Sequence, residues 1–258
     1  MLFRSQESHV DYFVSNYMAP KRPNLDTNAS LSTASKRNAM INETAESLAD
    51  RLGAKVTYLT MDGYSWYILK ERWKTSNKQE FEQEWAHHPE KRHQLKVFGR
   101  VVNEKRWSQC WGFDYSYSGA KSIAKPLSQS EVVMNIIEKC NILTTGLIDR
   151  DMEPFNGCLQ NWYENEDSIG IHADDERSMR SDCPIFSLSW GGTRRFLFRA
   201  RKDKEKTELW LKDGDLLVMG GTCQLTHKHE VPPRRKTKDP PTSNRINFTI
   251  RAFKKDSL

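Results

Sequence analysis

The stretch "SIGIHADDE", residues 168–176, places His172 and Asp174 two positions apart. Residues i and i+2 of an extended chain face the same side, so an imidazole nitrogen and a carboxylate oxygen can enter one cavity and ligate a metal ion. Taken alone the pair is more simply a strand-end histidine beside a surface acid, and a metal site requires a third ligand. "GGTCQLTHKHEVPP" offers His227 and His229, again two apart, after the apolar run "DLLVM" that can carry them back across a sheet. Two imidazoles and one carboxylate on one face of an octahedral ion leave three positions open, the arrangement of non-haem Fe(II) oxygenases.

"RINFTIR" adds a second kind of chemistry. On a strand, Arg245, Asn247, Thr249 and Arg251 share one face and Ile246, Phe248 and Ile250 the other. Six residues separate the arginines by ~20 Å, and side chains leaning inward by ~6 Å each leave room for a small dicarboxylate. The planar guanidinium fork matches carboxylates, so the pair suggests a two-ended acid such as 2-oxoglutarate. A strand with two surface arginines that bind phosphate is the alternative.

These residues need elements to position them. Met40, Ile41, Ala45, Leu48, Ala49 and Leu52 recur at helical spacing over 35–52, with Gly53 as a stop. "KVTYLTMDGYSWYILK" alternates around Asp62-Gly63, a pair that favours a tight hairpin turn. Residues 75–96 read as a polar helix and a loop, in which His87, His88 and His93 are expected on the solvated surface. "LSQSEVVMNIIEKCNIL" sets Ser128 three residues before Glu131, a capping-box pattern, ahead of an apolar face of Val132, Val133, Ile136, Ile137 and Cys140. From there to Phe253 the pattern is strand after strand, with turns at Gly191-Gly192 and Asp213-Gly214. Two helices against many antiparallel strands predict a mainly β, α+β fold: a sandwich or jelly roll with helices covering one sheet.

Composition narrows the function classes. The 258 residues are 37% hydrophobic and 29% charged, with no apolar run near bilayer-spanning length. Residues 1–34 are polar and aperiodic and read as a partly ordered arm. The start of the chain lacks a secretory pattern, which places the protein in a reducing, intracellular compartment, nucleus or cytoplasm. Five cysteines without a C-x-x-C pair read as free, mostly buried thiols. A net charge of +6 is compatible with a polyanionic partner.

"NWYENEDSIGIHADDE", "HEVP" and "RINFTIR", in that order, resemble the AlkB family of Fe(II)- and 2-oxoglutarate-dependent dioxygenases. The similarity covers about residues 95–255, leaving 35–94 as an N-terminal extension of helix plus hairpin with no assigned role. The resemblance implies a double-stranded β-helix, or jelly roll, with a β-hairpin nucleotide-recognition lid. It implies that His172, Asp174 and His229 hold iron, His229 rather than His227 because it begins H-x-V-P. Asn161, Tyr163, Arg245, Asn247 and Arg251 become the 2-oxoglutarate contacts. Glu176 matches the acid that reads the substrate base.

Upstream, "VFGRVVNEKRWSQCWGFDYSYSG" resembles the lid segment, with Lys105-Arg106 where the family usually has Pro-Arg. Tyr117, with Tyr115 near it, falls where an aromatic stacks on an extruded base; an alternating strand with surface tyrosines is the other reading. Phe98, Arg100 and Arg106 complete the expected substrate contacts. The implied activity is oxidative demethylation of 1-methyladenine and 3-methylcytosine in DNA or RNA by a monomeric enzyme using Fe(II), 2-oxoglutarate and O2, releasing formaldehyde, succinate and CO2. A catalytically silent nucleic-acid-binding module of the same fold, or a dioxygenase for a protein or small-molecule substrate, are the competing readings.

Overall fold

A computed structural model of the chain describes residues 43–97, 100–117, 120–148 and 155–254, so the arm at 1–34 and residues Met40, Ile41 and Phe98 lie outside the described part. Helix α1 (43–52) buries Ala45, Leu48, Ala49 and Leu52 on one face. It ends at Gly53 with φ +56°, where the Ala54 and Gly53 N–H groups donate to the carbonyls of Ala49 and Asp50. This closure satisfies two otherwise orphaned carbonyls and needs a left-handed residue.

Eleven strands form two antiparallel sheets. The larger runs in the order β1 (Val56–Tyr58), β2 (Ser65–Lys70), β13 (Leu216–Gly221), β10 (Ile185–Gly191), β15 (Arg245–Arg251), β8 (Gly157–Tyr163), β5 (Trp107–Trp111). The smaller is β12 (Lys206–Leu211), β11 (Arg194–Ala200), β14 (His227–Val231), β9 (Ile169–His172). Two short ribbons, β3 (Gln94–Val97) with β4 (Arg100–Asn103) and β6 (Tyr115–Tyr117) with β7 (Ala120–Ser122), stand apart from both sheets. The mainly β, α+β architecture expected from the alternation is therefore present.

Burial follows the strand period. Ile246, Phe248 and Ile250 of β15 join α1 and α3 (Glu131–Thr144) in one core on the outer face of the large sheet. Tyr67, Tyr163, Phe196, Phe198, Leu217 and Met219 form a second core between the sheets. The polar row of β15 faces this second side, so the strand is buried on both faces and only pairing among its polar groups makes that tolerable.

Three local expectations are corrected. The hairpin between β1 and β2 has a loop over 59–64, because the Asp62 carboxylate accepts from Thr60 Oγ1 and the Tyr64 N–H and builds a wider turn than a two-residue one. Ser130, not Ser128, caps α3: its hydroxyl accepts from the Val133 N–H at 3.2 Å, and 127–129 form a separate 3-10 turn. Of the three histidines around α2 (Lys78–Trp85), only His87 is exposed. His88 stacks on Trp107 at 4.4 Å and a ring nitrogen of His93 meets the Ser108 carbonyl, so the apolar body of each ring finds a partly buried place. The five cysteines are free and four are buried, as expected. The segment 35–94 supplies β1 and β2, and β2 pairs with β13 inside the large sheet. No helix among the described residues is long and apolar enough to cross a membrane.

Candidate metal centre

His172 closes β9 and His229 lies opposite it in β14, in direct register, with ring centroids 4.3 Å apart. Asp174 sits two residues beyond the end of β9, where its backbone N–H donates to Gln224 Oε1 at 3.0 Å. Its Oδ1 is 3.7 Å from His172 Nε2 and its Oδ2 is 4.0 Å from His229 Nε2. One ligand atom from each residue lies within 4.8 Å of the others, and among the described residues no other group of three does so.

The protonation states suit a cation. His172 Nδ1 donates to the Gly170 carbonyl at 2.9 Å, which leaves Nε2 as the lone-pair nitrogen on the Asp174 side. Burial lowers the pKa of both rings, and that of His229 falls to about 3 through burial and its neighbour His172, so both are neutral at pH 7. Burial alone would raise Asp174, but Arg251 and the two histidines outweigh it and hold the carboxyl well below the usual range. Asp174 Oδ2 is buried with no hydrogen-bond partner among the described residues. Two neutral imidazoles and an ionised carboxylate with a spare oxygen fit one divalent ion.

His227 is excluded by position. It lies opposite Ala200, two residues along β14, with Nδ1 hydrogen-bonded to Thr226 Oγ1 at 2.8 Å. It is buried but outside the cluster.

The wall behind the triad comes from β8, β15 and β10. Arg245 pairs with Tyr163 and Asn247 with Asn161 across the β15–β8 ladder. Arg245 is 1% exposed; one amino group donates to Ser189 Oγ at 2.9 Å, while Nε and Nη1 have no hydrogen-bond partner among the described residues. Burial lowers its pKa to about 10, and its guanidinium lies 5.1 Å from the Tyr163 ring centroid. A buried charge with two idle donors calls for an anion. The opposite arginine is engaged: Arg251 Nη2 meets Asp174 Oδ1 at 2.6 Å. Asn247 gives its amide hydrogens to Ser187 Oγ and the Leu188 carbonyl, and Thr249 donates to its oxygen. All eight residues expected at the metal and the acid line one cavity.

The other expected residues are more scattered. Glu176 is half-buried and lines a neighbouring cavity of about 400 Å³ together with Asp174, Asp175 and Arg251. Tyr115 and Tyr117 lie on the β6 ribbon, with side chains outside the described part, and Arg100 opens β4 at the surface. Arg106 is 7% exposed and donates through Nε to Asn161 Oδ1 at 2.8 Å. Sequence reasoning missed Ser187, Ser189 and Gln224. The two serines alternate in "PIFSLSW" on the sheet face that also carries the polar row of β15, a signal visible once the strands are paired; a glutamine in a four-residue helical turn carries none.

A model of the 2OG-Fe(II) oxygenase superfamily matches residues 67–251. The chain is 38% identical over 181 residues to the Bos taurus alpha-ketoglutarate-dependent dioxygenase alkB homolog 3, covering 62% of each chain. It is 30% identical over 169 residues to the Bos taurus DNA oxidative demethylase ALKBH2, covering 61% of this chain and 56% of that one. Against the Homo sapiens ALKBH2 it is 30% identical over 169 residues, 61% and 60% of the two chains. It thus spans about three-fifths of the length of these curated relatives. Fe(II) and 2-oxoglutarate are the groups the matched family implies, and the cavity offers three donors for the one and an idle buried arginine for the other. Because the match runs from within β2 to the last residue of β15, spanning both sheets and every residue of the triad, the chain belongs to the 2OG-Fe(II) oxygenase superfamily, as an AlkB-family member related to ALKBH2 and ALKBH3.

Proposed function

We propose that the chain is an Fe(II)- and 2-oxoglutarate-dependent dioxygenase that removes N-alkyl groups from bases, 1-methyladenine and 3-methylcytosine foremost, in DNA or RNA. The observation that carries the reading is the pairing of ends in one cavity. A neutral-histidine and carboxylate triad stands at one end, and Arg245, charged, buried and with two idle donors, lines the same cavity.

In this reading His172, Asp174 and His229 hold the iron. Arg245 takes the distal carboxylate of 2-oxoglutarate with Tyr163 beside it, and Asn161 and Arg251 serve the metal-binding end. When bound, iron and 2-oxoglutarate would use O2 to insert one oxygen atom into an N-methyl C–H bond, the other oxygen atom entering succinate as CO2 is released. The N-hydroxymethyl product then loses formaldehyde and returns the unmodified base. The protein's part is to keep both imidazoles unprotonated, to fix the Asp174 carboxylate against Arg251, and to exclude bulk water from a cavity walled by buried strands.

The substrate assignment rests on two supports. Relatives at 30% identity carry the name DNA oxidative demethylase. Glu176, the acid that the family resemblance assigns to the base, lines the adjoining cavity and would favour a base made cationic by methylation on its pairing edge, although Arg177, Arg180, Arg251 and Lys254 line that cavity as well. Tyr115 and Tyr117, with Phe98 and Arg100, belong to the proposed lid side, where aromatic stacking offsets part of the cost of extruding a base.

The test is mass-spectrometric analysis of oligonucleotides carrying 1-methyladenine, 3-methylcytosine or N6-methyladenine, as DNA and RNA, single- and double-stranded, with Fe(II), 2-oxoglutarate and ascorbate. Loss of the mass of one CH2 from the first two, absent with Asp174→Ala, is expected. Consumption of 2-oxoglutarate with every oligonucleotide unchanged would move the substrate outside nucleic acid.

A further inference from the structure

Arg106 precedes β5 and occupies the segment that the family resemblance places in the substrate lid, yet its side chain is withdrawn from the surface. It is 7% exposed, as is Glu104, two residues before it. A buried polar chain runs through them. Ser108 Oγ donates to Glu104 Oε2 at 3.2 Å, an Arg106 amino group donates to Glu104 Oε1 at 3.4 Å, and Arg106 Nε donates to Asn161 Oδ1 at 2.8 Å. Ser108 is also the register partner of Asn161 across the β5–β8 ladder, so the chain closes on the strand it orients.

We infer that Arg106 is a positioning residue for the co-substrate rather than a contact to nucleic acid: it fixes the orientation of the Asn161 amide. A guanidinium has donors and no acceptor, so the amide atom that faces it must be the oxygen. The nitrogen Nδ2 is then the atom left to the cavity that Asn161 lines, 2% exposed, together with the triad and Arg245. Without the arginine the amide can turn over and present its oxygen, which repels a carboxylate. Glu104 supplies the charge that lets the guanidinium remain buried, and Ser108 holds Glu104 in place.

The inference rests on the reading that Asn161 contacts 2-oxoglutarate. The test is equilibrium titration of 2-oxoglutarate into the Mn(II)-loaded protein, for wild type, Arg106→Met, Asn161→Ala and the double variant, with oligonucleotide affinity measured in parallel. Arg106→Met should raise the 2-oxoglutarate Kd about tenfold in the wild-type background and less than about twofold when Asn161 is already alanine, because the effect passes through that amide. Oligonucleotide affinity should stay unchanged. An equal rise in both backgrounds, or weaker oligonucleotide binding with an intact 2-oxoglutarate Kd, overturns the inference. Asn161→Asp tests it without disturbing Arg106: the carboxylate keeps the bond to Nε but has no donor for the cavity, so it should bind 2-oxoglutarate no better than Asn161→Ala. Wild-type-like binding by Asn161→Asp overturns it too. A wild-type protein that fails to bind 2-oxoglutarate at all refutes instead the functional reading beneath it.

Discussion

Arg251 Nη2 lies 2.6 Å from Asp174 Oδ1, an ion pair in which neither side chain is more than 3% exposed. The residue that closes β15 thus sets the charge of a proposed metal ligand that follows β9. Arg251→Met would leave an ionised carboxylate unpaired in the interior, and should destabilise the metal-free protein by about 3–5 kcal/mol in urea unfolding. Asp174→Asn breaks the same pair from the other side, so it should also lower the unfolding midpoint, and in the folded protein it should abolish iron-dependent 2-oxoglutarate consumption, read by succinate formation; retained turnover would remove Asp174 from the ligand set.

Arg245 behaves oppositely because no carboxylate is paired with its guanidinium among the described residues. Arg245→Met removes two idle buried donors, so unfolding of the metal-free protein should be unchanged or shifted upward. The cost should appear only with ligand. With Mn(II) present throughout, adding 2-oxoglutarate should raise the Tm of the wild type further and not that of the variant, as stabilisation follows ligand affinity.

The two histidines of β14 separate cleanly in geometry. His227→Gln should retain metal binding within about a factor of three, because its ring lies outside the triad with Nδ1 engaged by Thr226 Oγ1 and so shares no ligand atom with the site. His229→Gln should lose binding in a Co(II) titration followed by absorbance. Equal losses would mean that the β14 register differs from the His229–His172 pairing.

Ser130 caps α3 through the Val133 N–H. Ser130→Ala should cost about 1 kcal/mol, whereas Ser128→Ala should stay within about 0.5 kcal/mol. The pair of measurements decides between the two candidate caps.

Tyr58 donates to Glu46 Oε1 at 2.6 Å, tying β1 to α1. The Glu46 hydrogen bond, then burial, push the phenol up from 10.0 to about 12. A group whose folded pKa is raised gives stability that is whole below the unfolded value and is lost as pH rises through the folded one. The contribution of this bond should therefore be intact below pH 10.0 and vanish by about 12. In an alkaline absorbance titration one tyrosine should ionise late, and Tyr58→Phe should remove that step.

Much of this molecule is legible from its residues alone. In "RINFTIR" the period of two separates Arg245, Asn247, Thr249 and Arg251 from Ile246, Phe248 and Ile250 whatever the rest of the chain does, because alternate side chains of a strand must point to opposite faces. The same rule puts Ser187 and Ser189 on one face of β10, and helical spacing marks the buried face of α3. Short-range geometry therefore marked the buried sides of these elements and offered His172, Asp174, the His227 and His229 pair and the two arginines as candidates, whereas Asn161, Tyr163 and the choice of His229 came from the family resemblance.

The tertiary structure decided how those residues combine. His227 and His229 obey the same period, and only the register of β14 against β9 brings His229 to His172. Arg245 and Arg251 look alike in sequence, but the turn after β9 delivers Asp174 to one of them and no carboxylate to the other. Arg106 reads as a lid residue until β5 and β8 pair and enclose it beside Asn161. In each case the deciding contact joins residues more than fifty positions apart, and pairing at that distance depends on how whole sheets stack, which no local pattern encodes.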